Sequence, residues 1–246
     1  MEPIFRQTQV VEDIHVDCFG RLNPSTILYF AQEAAGGHCQ LLKLDWDTLA
    51  GKDLFWAVIR QKVEVERLPL RGETITVETW PMPTTRSAFP RATVAYDQEG
   101  NVLFRIIGLW VLMSLSQRTM VLPGKSGIEL TGTLRGNELA TPGSIAPMQM
   151  ERKDLKTVGF SQLDRNGHMN NTRYLDWLWD LLPSQFHRDH PVKEFTVCYL
   201  SEAREGQEIT LNWQLSDGPV LQVNAHREKT DVASGKDRVF SAQVMF

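Results

Sequence analysis

Cysteine is scarce in this sequence, and the three that occur stand far apart, at Cys18, Cys39 and Cys198. No two of them have a spacing typical of metal ligands or of a redox pair, which disfavours a disulfide framework. Isolated thiols of this kind usually pack in a protein interior. The scarcity favours a reducing compartment, and we expect the protein in the cytoplasm.

Two further absences exclude classes of protein. The longest apolar run, residues 106–115, is about half as long as a membrane-spanning helix, so no membrane span is predicted. The first fifteen residues contain acidic side chains and no apolar core, so they do not resemble a secretory signal. The formal net charge of −4 disfavours general nucleic-acid binding, which needs a basic surface.

The chain of 246 residues instead contains one pattern twice. Four residues recur 147 positions later, such that Asp17, Gly20, Asn23 and Leu28 match Asp164, Gly167, Asn170 and Leu175. Further on, residues 63–80 match residues 197–214 with an offset of 134. The length suits two domains of about 110 residues each, so the repeat predicts a duplicated domain.

Each copy places a polar turn before a helix and several strands after it. Asn23 and Pro24 form a typical helix start, and Asn170 or Asn171 could cap the second helix. The apolar face of that second helix has helical spacing and ends before a proline: Tyr174, Leu175, Leu178, Leu181, Leu182 and then Pro183. The strands alternate apolar and polar residues, with a hairpin at residues 100–101.

These elements predict an α+β fold in which a long helix packs on an antiparallel sheet, once per copy. Residues 134–150 are rich in glycine, proline, serine and threonine, a composition typical of a linker. The predicted domains are therefore residues 1–133 and 151–246.

The polar turn of the second copy could carry chemistry. Asp164, Asn166 and His168 alternate along it, and side chains two apart in an extended loop point the same way. Backbone amides before a helix could hold an oxyanion, helped by the helix dipole. Such residues also cap helices without any catalytic role.

The first copy distinguishes these interpretations. Its turn keeps the aspartate, but Phe19 and Arg21 replace the asparagine and the histidine, so capping alone does not explain the second copy. Glu202 likewise lies opposite Leu68, although a glutamate beside a turn is commonly just solvated. If the two segments meet, an acid and a histidine could together deprotonate water.

Four segments, in the order "TWP", "LWVLMSLSQR", "DRNGHMNNTRYLDW" and "YLSEAREG", resemble the acyl-acyl carrier protein (acyl-ACP) thioesterase family over nearly the whole chain. The resemblance implies two tandem hotdog domains, the second of them catalytic, that release fatty acids from carrier protein. No cofactor is expected, and Asp164 and His168 are too few ligands to fix a metal ion. The resemblance places the family's catalytic residues on Asp164, Asn166, His168 and Glu202. Ala203 stands where plant relatives have a cysteine, so a thiol nucleophile has no support.

We expect the thioester carbonyl to bind backbone amides of Gly167 and His168, with Asn166 assisting, while carboxylate and imidazole activate water. Direct attack by Asp164 is the alternative, because both routes need a carboxylate beside the carbonyl. The first copy could line the acyl pocket with aromatic residues, for which the candidates are Phe55, Trp56, Trp80 and Trp110.

The expected partner is an acidic acyl carrier protein with its phosphopantetheine thioester. Residues 67–125 contain seven basic and four acidic residues, which allows a basic docking patch. An acyl-CoA thioesterase of the same fold and a non-catalytic fatty-acyl binding or sensing protein are the alternatives. A tandem chain contains its own pair of domains, so a monomer is sufficient and a homodimer is possible.

Overall fold

The computed structural model describes residues 3–146, 148, 150–227 and 237–246, and it divides into two compact units, Met1–Pro142 and Gly143–Phe246. The division falls inside the predicted linker, of which Pro147 and Gln149 lie outside the described residues. The first part of that linker belongs to the N-terminal unit, because Arg135 pairs with Glu78 and Glu138 accepts a hydrogen bond from Trp80 Nε1 at 3.2 Å.

The N-terminal unit is an antiparallel sheet with the strand order β1-β3-β4-β5-β2, to which β6 adds beside β5. Its elements are β1 (Phe5–Val10), α1 (Pro24–Leu41), α2 (Trp46–Ala50), β2 (Leu54–Val65), β3 (Thr74–Pro81), β4 (Phe89–Tyr96), β5 (Val102–Ser114), β6 (Met120–Val121) and α3 (Pro123–Ser126). Helix α1 begins after Asn23 as predicted, although the asparagine side chain makes no capping bond.

The C-terminal unit repeats this topology with the strand order β7-β9-β10-β11-β8. Its elements are β7 (Arg152–Thr157), α4 (Arg173–Trp179), α5 (Ser184–Asp189), β8 (Glu194–Tyr199), β9 (Glu208–Ser216), β10 (Val220–Arg227) and β11 (Arg238–Met245). Helix α4 packs on the sheet through Tyr174, whose ring lies 4.8 Å from that of Phe240 in β11. The predicted α+β architecture, with helix on antiparallel sheet in each copy, is confirmed.

The second helix is shorter than predicted. Helix α4 has seven residues, and Pro183 separates it from the six residues of α5, because a proline disfavours helical conformation in the residue before it. The start also differs, since Thr172 is the N-cap. Asn170 Oδ1 instead accepts a hydrogen bond from the Thr172 amide at 3.0 Å, which closes a turn ahead of the helix. Among the described residues, no helix is long and apolar enough to cross a membrane.

Candidate functional site

The turn at residues 164–168 is organised by its own first side chain. Asp164 Oδ1 accepts hydrogen bonds from the backbone amides of Asn166 at 2.7 Å and His168 at 3.2 Å, and Asp164 Oδ2 accepts one from Asn166 Nδ2 at 3.3 Å. Gly167 has a φ of 73°, in the left-handed region that glycine occupies without strain. The aspartate carboxylate therefore fixes the turn that carries the asparagine and the histidine.

The first copy builds the same turn with different side chains. Asp17 Oδ1 accepts hydrogen bonds from the backbone amides of Phe19 at 2.8 Å and Arg21 at 3.0 Å, and Gly20 has a φ of 75°. Arg21 Nε donates to Asp17 Oδ2 at 3.2 Å, as the asparagine side chain does in the second copy. Turn formation accounts for the aspartate in both copies, and it does not account for the second copy's asparagine and histidine.

The imidazole of His168 and the carboxylate of Glu202 lie together. Nε2 of His168 is 3.0 Å from Oε2 of Glu202, and their side chains are 8% and 39% exposed. The two segments are joined by a hydrogen bond from the Met169 amide to the Ala203 carbonyl at 2.8 Å and by a β-bridge between His168 and Arg204. A buried imidazole beside a partly exposed carboxylate can hold and transfer a proton taken from water.

The backbone amides of Gly167 and His168, predicted as oxyanion donors, are both engaged by Asp164. The Gly167 amide donates to the Asp164 carbonyl at 3.0 Å, and the His168 amide donates to the carboxylate. The helix-dipole argument is wrong for this turn, because α4 begins only at Arg173. The longer bonds, from the His168 amide and from Asn166 Nδ2, are those that an oxyanion could displace most readily.

Two residues that the sequence analysis missed support the Glu202 segment. The guanidinium of Arg227 donates through Nη2 to the Glu202 carbonyl and through Nε to Gln207 Oε1 at 3.2 Å. Gln207 Oε1 also accepts from the Arg204 amide at 3.0 Å. The repeat could have revealed Gln207, because its counterpart Glu73 accepts from the Leu70 amide at 2.8 Å in the same way.

A third residue, Tyr174, was interpreted only as part of the apolar face. It is 3% exposed, and its ring packs 5.6 Å from that of Tyr199. Burial raises the pKa of the Tyr174 phenol, so the group remains neutral beside the charged residues of the site.

The four aromatic residues predicted to line an acyl pocket do not form one group. Trp56 and Trp110 pack on one apolar cluster, made of Leu44, Leu49, Leu54, Phe89, Leu112 and Ile128. Phe55 lies 6.1 Å from Trp46, and Trp80 belongs to a separate cluster with Ala92 and Val94. Successive strand residues face opposite sides of a sheet, so Phe55 and Trp56 cannot line one pocket.

The predicted basic patch is largely neutralised. Arg67 pairs with Glu73 at 2.7 Å, Arg105 pairs with Glu66 at 2.6 Å, Arg71 pairs with Asp13, and Arg91 is buried. Arg86 and Lys125 instead line one cleft of about 860 Å³. Within the described ranges, no group of three or more His, Cys, Asp or Glu side chains could hold a metal ion.

Two sequence-family models match the chain. Residues 2–122 match the acyl-ACP thioesterase N-terminal domain, and residues 146–237 match the acyl-ACP thioesterase C-terminal domain. Among curated proteins, the chain is similar to a chloroplastic dodecanoyl-ACP hydrolase of Umbellularia californica, with 25% identity over 214 residues, which are 81% of this chain and 56% of the relative. A chloroplastic palmitoyl-acyl carrier protein thioesterase of Gossypium hirsutum is 23% identical over 214 residues, which are 81% of this chain and 52% of the relative. The chain thus spans about half the length of these relatives.

Solved structures share the fold over the full length. An acyl-ACP thioesterase from Bacteroides thetaiotaomicron superposes with a TM-score of 0.87 at 23% identity, covering 99% of this chain and 98% of that one. The 12:0-ACP thioesterase of Umbellularia californica gives 0.82 at 22% identity, covering 100% of this chain and 97% of that one. These similarities establish the tandem hotdog fold.

Proposed function

Because the chain belongs to the acyl-ACP thioesterase family, we propose that it hydrolyses the thioester of fatty acyl-ACP and releases the free fatty acid. The observation that carries the proposal is the 3.0 Å contact between His168 Nε2 and Glu202 Oε2. Both groups belong to the second copy alone, because the first copy has Arg21 and Leu68 at these positions. The duplication thus supplies an internal reference in which the fold is present and the ionisable pair is not.

In the proposed mechanism, Glu202 takes the proton of the attacking water while the His168 imidazole donates a hydrogen bond to that carboxylate and holds it in place. The water oxygen forms a bond to the thioester carbon, and the carbonyl oxygen becomes negative. When this intermediate collapses, the carbon–sulfur bond breaks, and the proton held by the pair passes to the leaving thiolate. The partial exposure of Glu202 supports its role as the group that meets water.

Asn166 and the His168 amide are the proposed oxyanion donors. Their present hydrogen bonds to Asp164 are long, at 3.3 and 3.2 Å, so a full negative charge on the substrate would compete for them. The Gly167 amide, bonded to the Asp164 carbonyl within the turn, is a donor only if the turn opens. A preset donor of this type contributes roughly 3 to 4 kcal/mol to catalysis.

Asp164 is proposed to position the turn instead of attacking the substrate. Both of its carboxylate oxygens already accept hydrogen bonds, and its counterpart Asp17 has an equivalent set in a turn without the pair. Single turnover in ¹⁸O-labelled water separates the two routes. General-base hydrolysis puts the label in the fatty acid and none in the protein. Attack by Asp164 would form a mixed anhydride, and water that opens it at the aspartate carbonyl would leave the label in the Asp164 carboxylate and unlabelled oxygen in the fatty acid.

Carrier protein is the proposed source of the acyl group, and the cleft that contains Arg86 and Lys125 is its proposed docking site. An acidic carrier would be attracted to these two basic side chains. The three free cysteines suit a reducing compartment, and we propose the cytoplasm. We also propose that the chain is active as a monomer. Sedimentation of the active species tests this.

The test is a hydrolysis panel in which one acyl chain is offered on carrier protein and on CoA, with free thiol and fatty acid both measured. The proposal expects the higher kcat/KM on carrier protein. A higher value on CoA would favour the acyl-CoA thioesterase alternative. Stable binding of both thioesters without thiol release would favour a binding or sensing protein.

A further inference from the structure

The peptide bond between Glu202 and Ala203 is held at both of its polar ends by side chains from other elements. Nη2 of Arg227, the last residue of β10, donates to the Glu202 carbonyl. A hydrogen bond joins the backbone of Ala203 to the phenol oxygen of Tyr174, the second residue of α4. Tyr174 and Arg227 thus form a clamp on the one peptide that follows the proposed base.

The Ala203 amide is the donor in the bond to Tyr174. Burial raises the pKa of the Tyr174 phenol, and the bond with the Ala203 backbone acts in the opposite direction. Only a bond that the phenol oxygen accepts stabilises the phenolate and lowers the pKa. The Ala203 carbonyl already accepts from the Met169 amide at 2.8 Å. Since Ala203 is buried, the phenol is the acceptor that satisfies its amide.

The clamp determines where the Glu202 carboxylate lies. A peptide is planar, so bonds at its carbonyl and at its N–H together fix the torsion angles on either side of it. One of these angles, ψ of Glu202, sets the direction in which the side chain leaves the backbone. The side chain is 39% exposed, and a solvated glutamate loses much rotational freedom when it is held in one place. The backbone clamp keeps the carboxylate within reach of His168.

Both members of the clamp are anchored in turn. Nε of Arg227 donates to Gln207 Oε1 at 3.2 Å, and the Arg227 amide donates to the Asp237 carbonyl at 2.8 Å. Tyr174 is 3% exposed, and its ring packs 4.8 Å from that of Phe240. An anchored side chain restrains the peptide that it bonds, because it has little freedom left to follow a movement of that peptide.

The first copy lacks the tyrosine half of the clamp. Pro69 is the counterpart of Ala203 and has no N–H to donate, and Ile27 is the counterpart of Tyr174 and has no hydroxyl. Ile27 is 0% exposed, so this position packs in the core with or without an oxygen atom. The tyrosine and the amide that it bonds are present together in one copy and absent together from the other.

The first copy also lacks the arginine half. Arg227 lies opposite Ile209, whose counterpart is Ile75. The register of β3 with β4, continued by one residue, places Asp97 opposite Ile75. A carboxylate cannot donate a hydrogen bond to a carbonyl, so Asp97 cannot take the role of Arg227. The complete clamp therefore occurs only in the copy that carries Glu202.

We propose that Tyr174 and Arg227 are positioning residues for the hydrolysis, which hold the Glu202 carboxylate where it meets water and His168. Neither side chain touches the reacting atoms, and both act through the Glu202 peptide. The expected effect on kcat rests on the proposed function, whereas the clamp itself can be measured without turnover.

Hydrogen exchange of the Ala203 amide, followed by NMR in the intact chain, tests the clamp without turnover. Tyr174→Phe removes the phenol oxygen alone and should speed this exchange about tenfold, the effect of losing one hydrogen bond. Tyr199→Phe is the matched control, because it removes the same atom from a neighbouring tyrosine that donates to the Asn171 carbonyl at 3.2 Å. The control should leave the Ala203 exchange unchanged. An unchanged exchange rate in Tyr174→Phe would overturn the proposal.

Turnover of acyl-ACP tests the positioning role. Tyr174→Phe should lower kcat about tenfold, and Arg227→Met about 10- to 100-fold, because a displaced base is less effective in the transition state. Arg227→Lys keeps one donor for the Glu202 carbonyl and should recover part of the rate. Tyr174→Phe changes a single atom and decides the question if Arg227→Met does not fold.

The Glu202→Gln background separates positioning from a general loss of folded protein. In that background Tyr174→Phe should have no further effect on kcat, because no carboxylate remains to be positioned. A loss of folded protein would instead lower both rates by the same factor. Equal losses in the two backgrounds, or wild-type kcat in Tyr174→Phe, would overturn the positioning role.

Failure of the proposed function gives a different result. A wild-type chain that releases no thiol from any thioester would contradict hydrolysis itself. The exchange rate of the Ala203 amide then decides alone whether Tyr174 holds the Glu202 peptide.

Discussion

At the scale of single residues, three differences at the candidate site separate a structural copy from the proposed catalytic one. The second copy has Asn166, His168 and Glu202 where the first has Phe19, Arg21 and Leu68. The backbone bridge between the two segments recurs, from Arg21 to Leu70 and from His168 to Arg204. The Leu22 amide donates to the Pro69 carbonyl at 2.8 Å in the first copy. In the second copy the Met169 amide donates to the Ala203 carbonyl at the same distance. The fold thus brings the positions of His168 and Glu202 together in both copies, and only the second copy places a histidine and a glutamate there.

The aspartate of the turn gives a matched pair of variants. In each turn, Oδ2 of the aspartate accepts a hydrogen bond from a side chain, that of Asn166 for Asp164 and that of Arg21 for Asp17. Asp164→Asn and Asp17→Asn put an amide NH2 group in place of this oxygen, and an NH2 group cannot accept the bond. We expect both variants to lose about 1 to 2 kcal/mol of unfolding free energy in denaturant titrations. Only Asp164→Asn should also lower kcat, by up to about 10²-fold, because it displaces the histidine.

An equal loss of kcat in Asp17→Asn would contradict this account, since that turn carries no proposed catalytic group. So would full activity of Asp164→Asn together with a loss of stability, because the turn would then have no part in positioning His168.

At the scale of elements, the edge of the N-terminal sheet depends on one buried carboxylate. Glu78 of β3 is 4% exposed and pairs with Arg6 of β1 and with Arg135. Burial alone would raise the pKa of Glu78, but the hydrogen bonds and charges of Arg135 and Arg6 outweigh burial and lower the pKa below its usual 4.5. The folded state therefore binds this proton less readily than the unfolded state does.

A lowered pKa of this kind adds stability above pH 4.5, and that stability is lost as the pH falls through the folded-state pKa. Glu78→Gln should therefore destabilise the chain by about 1 to 3 kcal/mol at neutral pH, and the difference from wild type should shrink in acid. Denaturant titrations at several pH values measure this. Glu99→Gln, at an exposed hairpin tip, is the control and should match wild type throughout; a pH-independent difference for Glu78→Gln would contradict the prediction.

The sequence predicted the elements better than their lengths. The apolar positions from Tyr174 to Leu182 have helical spacing, yet the helix ends at Trp179. Periodicity records which side chains are buried, and Leu182 is indeed 8% exposed, although it lies between two helices. Hydrogen bonds of the Asn170 side chain set the helix start, and no periodic pattern reports such bonds.

The residues of the candidate site could be predicted where the two copies carry different side chains at matching positions. Comparison of the copies selected His168 and Glu202, whose contact the structure contains. It missed Arg227, because a contact between a side chain and a distant carbonyl leaves no trace in local sequence. It also could not find that the Gly167 and His168 amides are already bonded, since the first bond depends on the backbone conformation of the turn and the second on the rotamer of Asp164.

At the scale of the whole molecule, the proposed function requires that a carrier protein dock on this chain. Arg86→Glu combined with Lys125→Glu reverses the charge of the proposed docking cleft. We expect kcat/KM for acyl-ACP to fall about tenfold at low salt and less at high salt, where screening weakens the attraction. Turnover of a short soluble thioester should be unchanged.

Lys52→Glu is the matched control, because Lys52 is an exposed lysine of the same unit outside the cleft. An equal loss in that variant would indicate a general charge effect. A loss that also affects the soluble thioester would place the defect at the catalytic site and would contradict the docking proposal.

The central claim is that His168 and Glu202 act as one proton-transferring unit, and a double-mutant cycle of His168→Ala and Glu202→Gln on acyl-ACP tests it most directly. Each single variant should lose about 10²- to 10⁴-fold in kcat, and the double variant should be no slower than the worse single one, because residues that act as a unit are not additive. Glu205→Gln, an exposed glutamate nearby, should remain at the wild-type rate. Losses that multiply in the double variant, or near wild-type rates in either single variant, would contradict the account.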